Sequence, residues 1–290
     1  MKTLRWNLRV LQRRRGEPRW ARVYISTLTL CRRLPPLSSK LVVATPTDDP
    51  ALHQGRERSS PHVVGRWACH VYVPVVSETS EQLGEVLSSA FHAAKAKVPT
   101  LHPIGLEDDR WELHISLSRP TFLWTHQKKE FKNAVRRVAA SHRGWVLSLA
   151  EFIQLENDDR SRVFLAIQVG AGYEQVTLSL SFVTRALKSN SQLEALTNAL
   201  APALQAIKQS DFYPEPKFHV SIGWALLKGS GVAKSTERFP TITELPQGVI
   251  EDLNRDFASL LQRPSARLEA QEVGVKIGKV VFRWGLGRGT

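Results

Sequence analysis

Two short stretches, LHISLSR at 113–119 and FHVSIGW at 218–224, each place a histidine and a serine two residues apart between apolar neighbours. In an extended chain residues i and i+2 point to one face, and the residue between them points to the other. His114 and Ser116 therefore share a face, as do His219 and Ser221, while Ile115, Leu117, Val220 and Ile222 point to the opposite, buried one. Laid side by side, two such strands line one groove with two imidazoles and two hydroxyls. That set suits a phosphodiester whose neighbouring ribose carries a free 2′-OH. A neutral imidazole removes the 2′-OH proton, a protonated one donates to the departing 5′-oxygen, and the hydroxyls hydrogen-bond the phosphoryl oxygens as charge builds. Histidine fits both roles because its pKa of about 6.5 keeps both forms accessible near neutral pH. The scheme calls for no metal and no cofactor. The other seven histidines show no such repeat, and His70 and His92 among them read as surface or core residues. Ser118 shares the face of His114, but Gly223 holds its place in the second stretch, so Ser118 stays outside the set.

Several elements must hold these strands. WACHVYVPV (67–75) is β-rich, with its Pro suited to a strand end. Leu83, Val86, Leu87, Ala90, Phe91 and Ala94 recur at helical spacing and predict a helix over 77–98, capped by a Ser or Thr. A strand over 111–118, a helix over 125–141 built on Phe131, Val135 and Val138, and strands at 145–155 and 162–170 follow. Then come helices over 173–188 and 191–208, the second bent at Pro202, a strand at 217–227 and a helix over 247–262. EVGVKIGKVVFRW (272–284) reads as a hairpin turning at Gly278. Helices and strands mix without strict βαβ alternation, which is an α+β pattern.

Charge narrows the class of partner. The chain of 290 residues carries 40 Lys and Arg against 27 Asp and Glu, a formal charge of +13 that favours polyanions. Residues 1–40 hold eleven basic residues and one acid, Glu17, which leaves only +3 for the remaining 250. The Arg-rich start can form a short helix with Leu4, Leu8 and Leu11 on one side, and it reads equally as a mitochondrial transit peptide or as a basic nuclear or RNA-binding arm, with a solvated tail of no function as the third reading. Residues 35–62, rich in Pro, Ser and Asp, read as a linker. Two cysteines, Cys31 and Cys69, make no disulfide framework and show no metal-ligand spacing, and no apolar run is long enough to span a membrane. G-x-S-x-G, P-loop and H-E-x-x-H patterns are absent.

The two motifs resemble those of the 2H phosphoesterase superfamily, in which each half of a pseudo-symmetric bilobal fold contributes one His-x-Ser or His-x-Thr strand to a central cleft. LCRRLPPLSS (30–39), GRWACHVYVPV (65–75), DFYPEPKFHVSIGW (211–224) and VGVKIGKVVF (273–282) further resemble the U6 snRNA phosphodiesterase family, nuclear 3′-to-5′ exonucleases that trim the oligouridine tail of U6 spliceosomal RNA. The likeness implies two antiparallel sheets with outer helices around a cleft, formed by residues 63–290 behind a disordered arm and linker over 1–62. It implies a catalytic pair, His219 as base and His114 as acid, with Ser116 and Ser221 binding phosphate and Tyr213 stacking on a nucleobase. The ring of Tyr213 also suits sequence-tolerant stacking on its own chemistry, or anchoring of a Pro-rich turn. As partner the resemblance implies RNA, the 3′ oligouridine tail of U6 snRNA, processed by a nuclear monomer in support of splicing. The product would carry a 2′,3′-cyclic phosphate, which some members open to a 3′-phosphate. Two rivals stand beside this reading: a 2′,3′-cyclic nucleotide phosphodiesterase of the superfamily that keeps both histidines, and a non-catalytic RNA-binding protein that uses its basic arm and a dead cleft.

Overall fold

In the computed structural model, residues 49–56, 60, 62–76, 81–108, 110–170, 180–228 and 239–287 are described. They lie within one unit, 48–290. The basic arm, the capping residues expected before the first helix and the start of the helix expected at 173 fall outside them. Within the segment read as linker, Pro50–His53 form one 3-10 turn, and a Cβ added at the following Gly55 would meet Leu226 and Phe239.

Alternation decides which face of each strand is buried. Strand β1 (Arg66–Val76) buries Cys69, Val71, Val73 and Val75 and turns His70 and Tyr72 to the other face. Helix α1 (Glu81–Lys97) lays Leu83, Leu87, Ala90, Phe91 and Ala94 on the core. After the two-residue strands β2 (His102–Pro103) and β3 (Leu106–Glu107), β4 (Arg110–Ser116) buries Trp111, Leu113 and Ile115 in strict alternation. Strand β5 (Thr121–Trp124) leads through a 3-10 turn at Thr125–Gln127 into α2 (Lys128–Ser141), so the α-helix begins three residues later than its spacing predicts.

The strand expected at 145–155 divides at Ser148 into β6 (Trp145–Leu147) and β7 (Leu149–Glu156), because Ser148 gives its carbonyl to Gly170 instead of to a ladder. Strand β8 (Arg162–Val169) follows. The two helices expected next are one, α3 (Leu180–Ala206), which continues through Pro202. Its buried stripe of Leu193, Leu196, Leu200 and Leu204 outweighs one lost backbone bond near the end of the helix.

Strand β9 (His219–Leu226) precedes α4 (Val249–Leu253), a π segment at Asn254–Ala258 and α5 (Ser259–Leu261). The π turn accompanies a contact with β7: the Asn254 side chain accepts from the Phe152 N–H at 2.7 Å and donates to the Phe152 carbonyl at 2.9 Å, beside an irregularity in that strand. Strands β10 (Leu268–Ala270), β11 (Glu272–Ile277) and β12 (Val280–Gly285) close the fold, the last two as the expected hairpin with Gly278 at φ +60°.

The main sheet runs β12-β11-β1-β4-β9-β8-β7, with β5 also on β1, β3 on β4 and β2 on β9, while β6 and β10 form a separate ribbon. Every pairing between these strands is antiparallel. The two sheets of the sequence reading meet edge to edge at a single registered pair, Ile115 opposite Val220. Pro74 sits inside β1 opposite His114 rather than at a strand end. It is tolerated there because the β11 ladder registers only Cys69 to Tyr72, so the missing N–H removes no bond on that edge.

Ser118, just beyond β4, is 1% exposed, and its Oγ accepts the Val71 N–H at 3.0 Å while the Val71 carbonyl accepts from Leu117 at 2.8 Å. Its hydroxyl thus ties the end of the first motif to β1. Ser118→Ala leaves a buried N–H without an acceptor and is expected to lower unfolding stability by about 1–3 kcal/mol. Urea unfolding with an unchanged m-value and a lower midpoint is the expected reading; a wild-type midpoint would contradict this role.

Candidate active site at the β4–β9 junction

Ile115 and Val220 face each other from adjacent strands, and both are fully buried. Antiparallel register then carries His114 toward Ser221 and Ser116 toward His219 on the opposite face. The imidazoles occupy diagonal corners, which in a regular ladder lie about 7–8 Å apart. All four residues are partly buried. The next residue of β9, Ile222, is skipped in the pairing with β8, so the irregularity falls immediately after Ser221 and the alternation ends there.

Each imidazole has a distinct setting. The Nδ1 of His219 lies 2.7 Å from the Lys217 carbonyl, which can only accept, so Nδ1 carries the proton and the neutral ring presents Nε2 as a lone pair. Burial lowers the pKa of His219, and the Lys217 carbonyl opposes that shift. His114 is pushed down to about 4, first by burial and then by His219 and Lys276. Its ring stands edge-on to His70 at 4.9 Å and to Tyr72 at 5.5 Å. Because β11 places Gly274 opposite Tyr72, the tyrosine ring lies over bare backbone; a Cβ there would approach it to 2.7 Å.

Tyr213 lies in the segment before β9 and is 37% exposed. Its hydroxyl donates to both carboxylate oxygens of Asp158, at 2.9 and 3.1 Å, and the Arg119 guanidinium covers one ring face at 3.8 Å. Arg119 also pairs with Asp158 at 3.6 Å. The tyrosine is thereby tied to the chain that leaves the first motif.

Residues 32–284 match the model of the HVSL family, described as an uncharacterised conserved protein. The chain belongs to the HVSL family. Bovine U6 snRNA phosphodiesterase 1 is 29% identical over 238 residues, covering 82% of this chain and 76% of its own. The Drosophila melanogaster protein of the same name is 30% identical over 182 residues, covering 62% of this chain and 60% of its own. A solved structure of Kluyveromyces marxianus Usb1 with uridine monophosphate aligns over 76% of this chain and 98% of that one, at 16% identity and a TM-score of 0.46.

In this HVSL chain the sequence reading passed over His70, whose Nε2 lies 3.1 Å from Ser116 Oγ. Alternation in WACHVYV put His70 on the polar face, but only the pairing of β1 with β4 brings it to Ser116. Arg119, Asp158 and Lys276 were missed for the same reason, since separate segments bring them to the site.

The depressed pKa values link the site to stability. His70 is pushed down to about 3 by burial, His114 and Lys276. An unfolded histidine titrates at about 6.5, so below that pH the unfolded chain binds protons that the folded one refuses. The stability is complete above about pH 6.5 and drains away as pH falls toward these folded values, by at most about 1.4 kcal/mol per pH unit for each ring. Urea unfolding at pH 7 and pH 5 should show a steeper acid loss for wild type than for His70→Phe. Equal losses would contradict the neutral buried imidazole.

Proposed function

We propose that this protein is a 3′-to-5′ RNA phosphodiesterase that trims the oligouridine tail of U6 snRNA. The observation that carries the reading is the placement of two His-x-Ser strands in adjacent register, with both imidazoles and both hydroxyls on one face. The names of the curated relatives support the substrate. His219, its tautomer set by the Lys217 carbonyl, takes the 2′-OH proton of the penultimate nucleotide through Nε2. The 2′-oxygen attacks phosphorus, the bond to the 5′-oxygen breaks, and His114 returns a proton to that oxygen. The shortened RNA carries a 2′,3′-cyclic phosphate and the terminal nucleoside leaves with a 5′-OH. Ser116 and Ser221 donate to the phosphoryl oxygens as their charge grows. Tyr213, held by Arg119 over its ring and by Phe212 at 5.2 Å, offers the exposed part of its ring to a base.

In the free protein both pKa values are lowered, so both rings are neutral at pH 7 and the acid must be charged by its substrate. The phosphodiester anion supplies that charge, raising His114 into its working form. Every group in the scheme comes from one chain, so a monomer suffices, and on this substrate it works in the nucleus.

The test compares two RNAs in EDTA: one with a 3′ oligouridine tail, the other identical except for a 2′-deoxy sugar at the penultimate position. Stepwise shortening of the first to cyclic-phosphate ends, with the second blocked, is expected. Equal shortening of both would refute the 2′-OH mechanism. Turnover of a 2′,3′-cyclic nucleotide with neither RNA shortened would make the protein a cyclic phosphodiesterase instead.

A further inference from the structure

A third imidazole reaches the same face from β1. The His70 ring stacks on Tyr72 with centroids 5.2 Å apart and planes 18° apart, and its edge contact with His114 and its approach to Ser116 Oγ leave it little freedom. The titratable and charged groups packed around it are His114 from β4, Lys276 from the register position opposite on β11, and Tyr72 beside it on β1. None of these favours an imidazolium, and burial opposes one, so the ring is neutral and carries one N–H.

Which nitrogen holds that hydrogen decides what Ser116 can do. If Nε2 accepted, the single hydroxyl proton of Ser116 would be committed to His70, and its lone pairs would face the phosphoryl oxygens. If Nε2–H donates, one Oγ lone pair is filled and the hydroxyl proton is free for substrate. A phosphoryl anion selects the second arrangement. On β8 the residue opposite Ser221 is Ala166, whose side chain carries no donor.

We infer that His70 is a positioning residue, donating through Nε2–H to Ser116 Oγ and so aiming the Ser116 proton at a phosphoryl oxygen. The inference rests on the phosphodiesterase reading and assigns the buried imidazole a part in it.

The test is a double-mutant cycle on the oligouridylated RNA. His70→Phe keeps the ring against Tyr72 and deletes the donor, and it is expected to lower kcat roughly 10-fold with KM little changed. Ser116→Ala is expected to cost on the order of 100-fold, and the double variant no more than Ser116→Ala alone. His70→Gln, whose amide nitrogen reaches the same point, should recover most of the loss. A double variant losing the product of the two single effects, or Gln no better than Phe, would overturn the assignment. Should His70→Phe fail to fold, His70→Asn, too short to reach Ser116, replaces it in the cycle. Binding of inorganic phosphate, followed by calorimetry, gives a readout without turnover: weaker in His70→Phe and restored in His70→Gln is expected, and equal affinities would sink the inference. A wild-type protein inert on RNA but showing this phosphate pattern would refute the RNA reading and leave His70 in place.

Discussion

Ile115 and Val220 meet across the registered pair that joins β4 to β9, and the rest of the site depends on that contact. Both side chains are removed from water, so a one-residue slip of either strand would turn its aliphatic residues out and its histidine in. The penalty for that slip fixes the register, and the register in turn sets the histidines and serines at alternate corners of one face. Helices α1, α2 and α3 supply the apolar stripes that bury the inner side, leaving the outer side for chemistry.

That outer face brings three imidazoles and a lysine close together. His70 and His114 are both held far below the usual histidine range by burial and by neighbouring positive charge. Negative charge brought among these rings would oppose both shifts. A phosphodiester would supply that charge, and Lys276 beside both rings adds to its attraction. In the proposed reaction it is the substrate that charges the acid.

The parts of this arrangement that follow a local period were legible in the amino-acid sequence. Alternation at 113–117 and 218–222 assigned the inward and outward residues of β4 and β9, helical spacing found α1, and Gly278 marked the last turn. What depends on contacts between distant segments was not legible. The passage of α3 through Pro202 reflects core burial that outweighs the lost backbone bond, and the π turn after α4 answers to Phe152, far away in sequence. Pro74 looked like a strand end because the end of its β11 neighbour could not be foreseen. His70 looked like an ordinary strand residue until β1 was seen beside β4, and the Arg119, Asp158 and Tyr213 cluster draws on three separate stretches.

The central claim is that the imidazoles stay neutral until a phosphate anion arrives. Histidine-labelled protein titrated by NMR, with and without inorganic phosphate, reads it directly. His114 should titrate near 4 in the free protein, well below an unfolded histidine, and move upward when phosphate is bound. A value of about 6.5 that phosphate leaves unchanged would contradict the account, since such a ring would be neither buried among cations nor in contact with the anion.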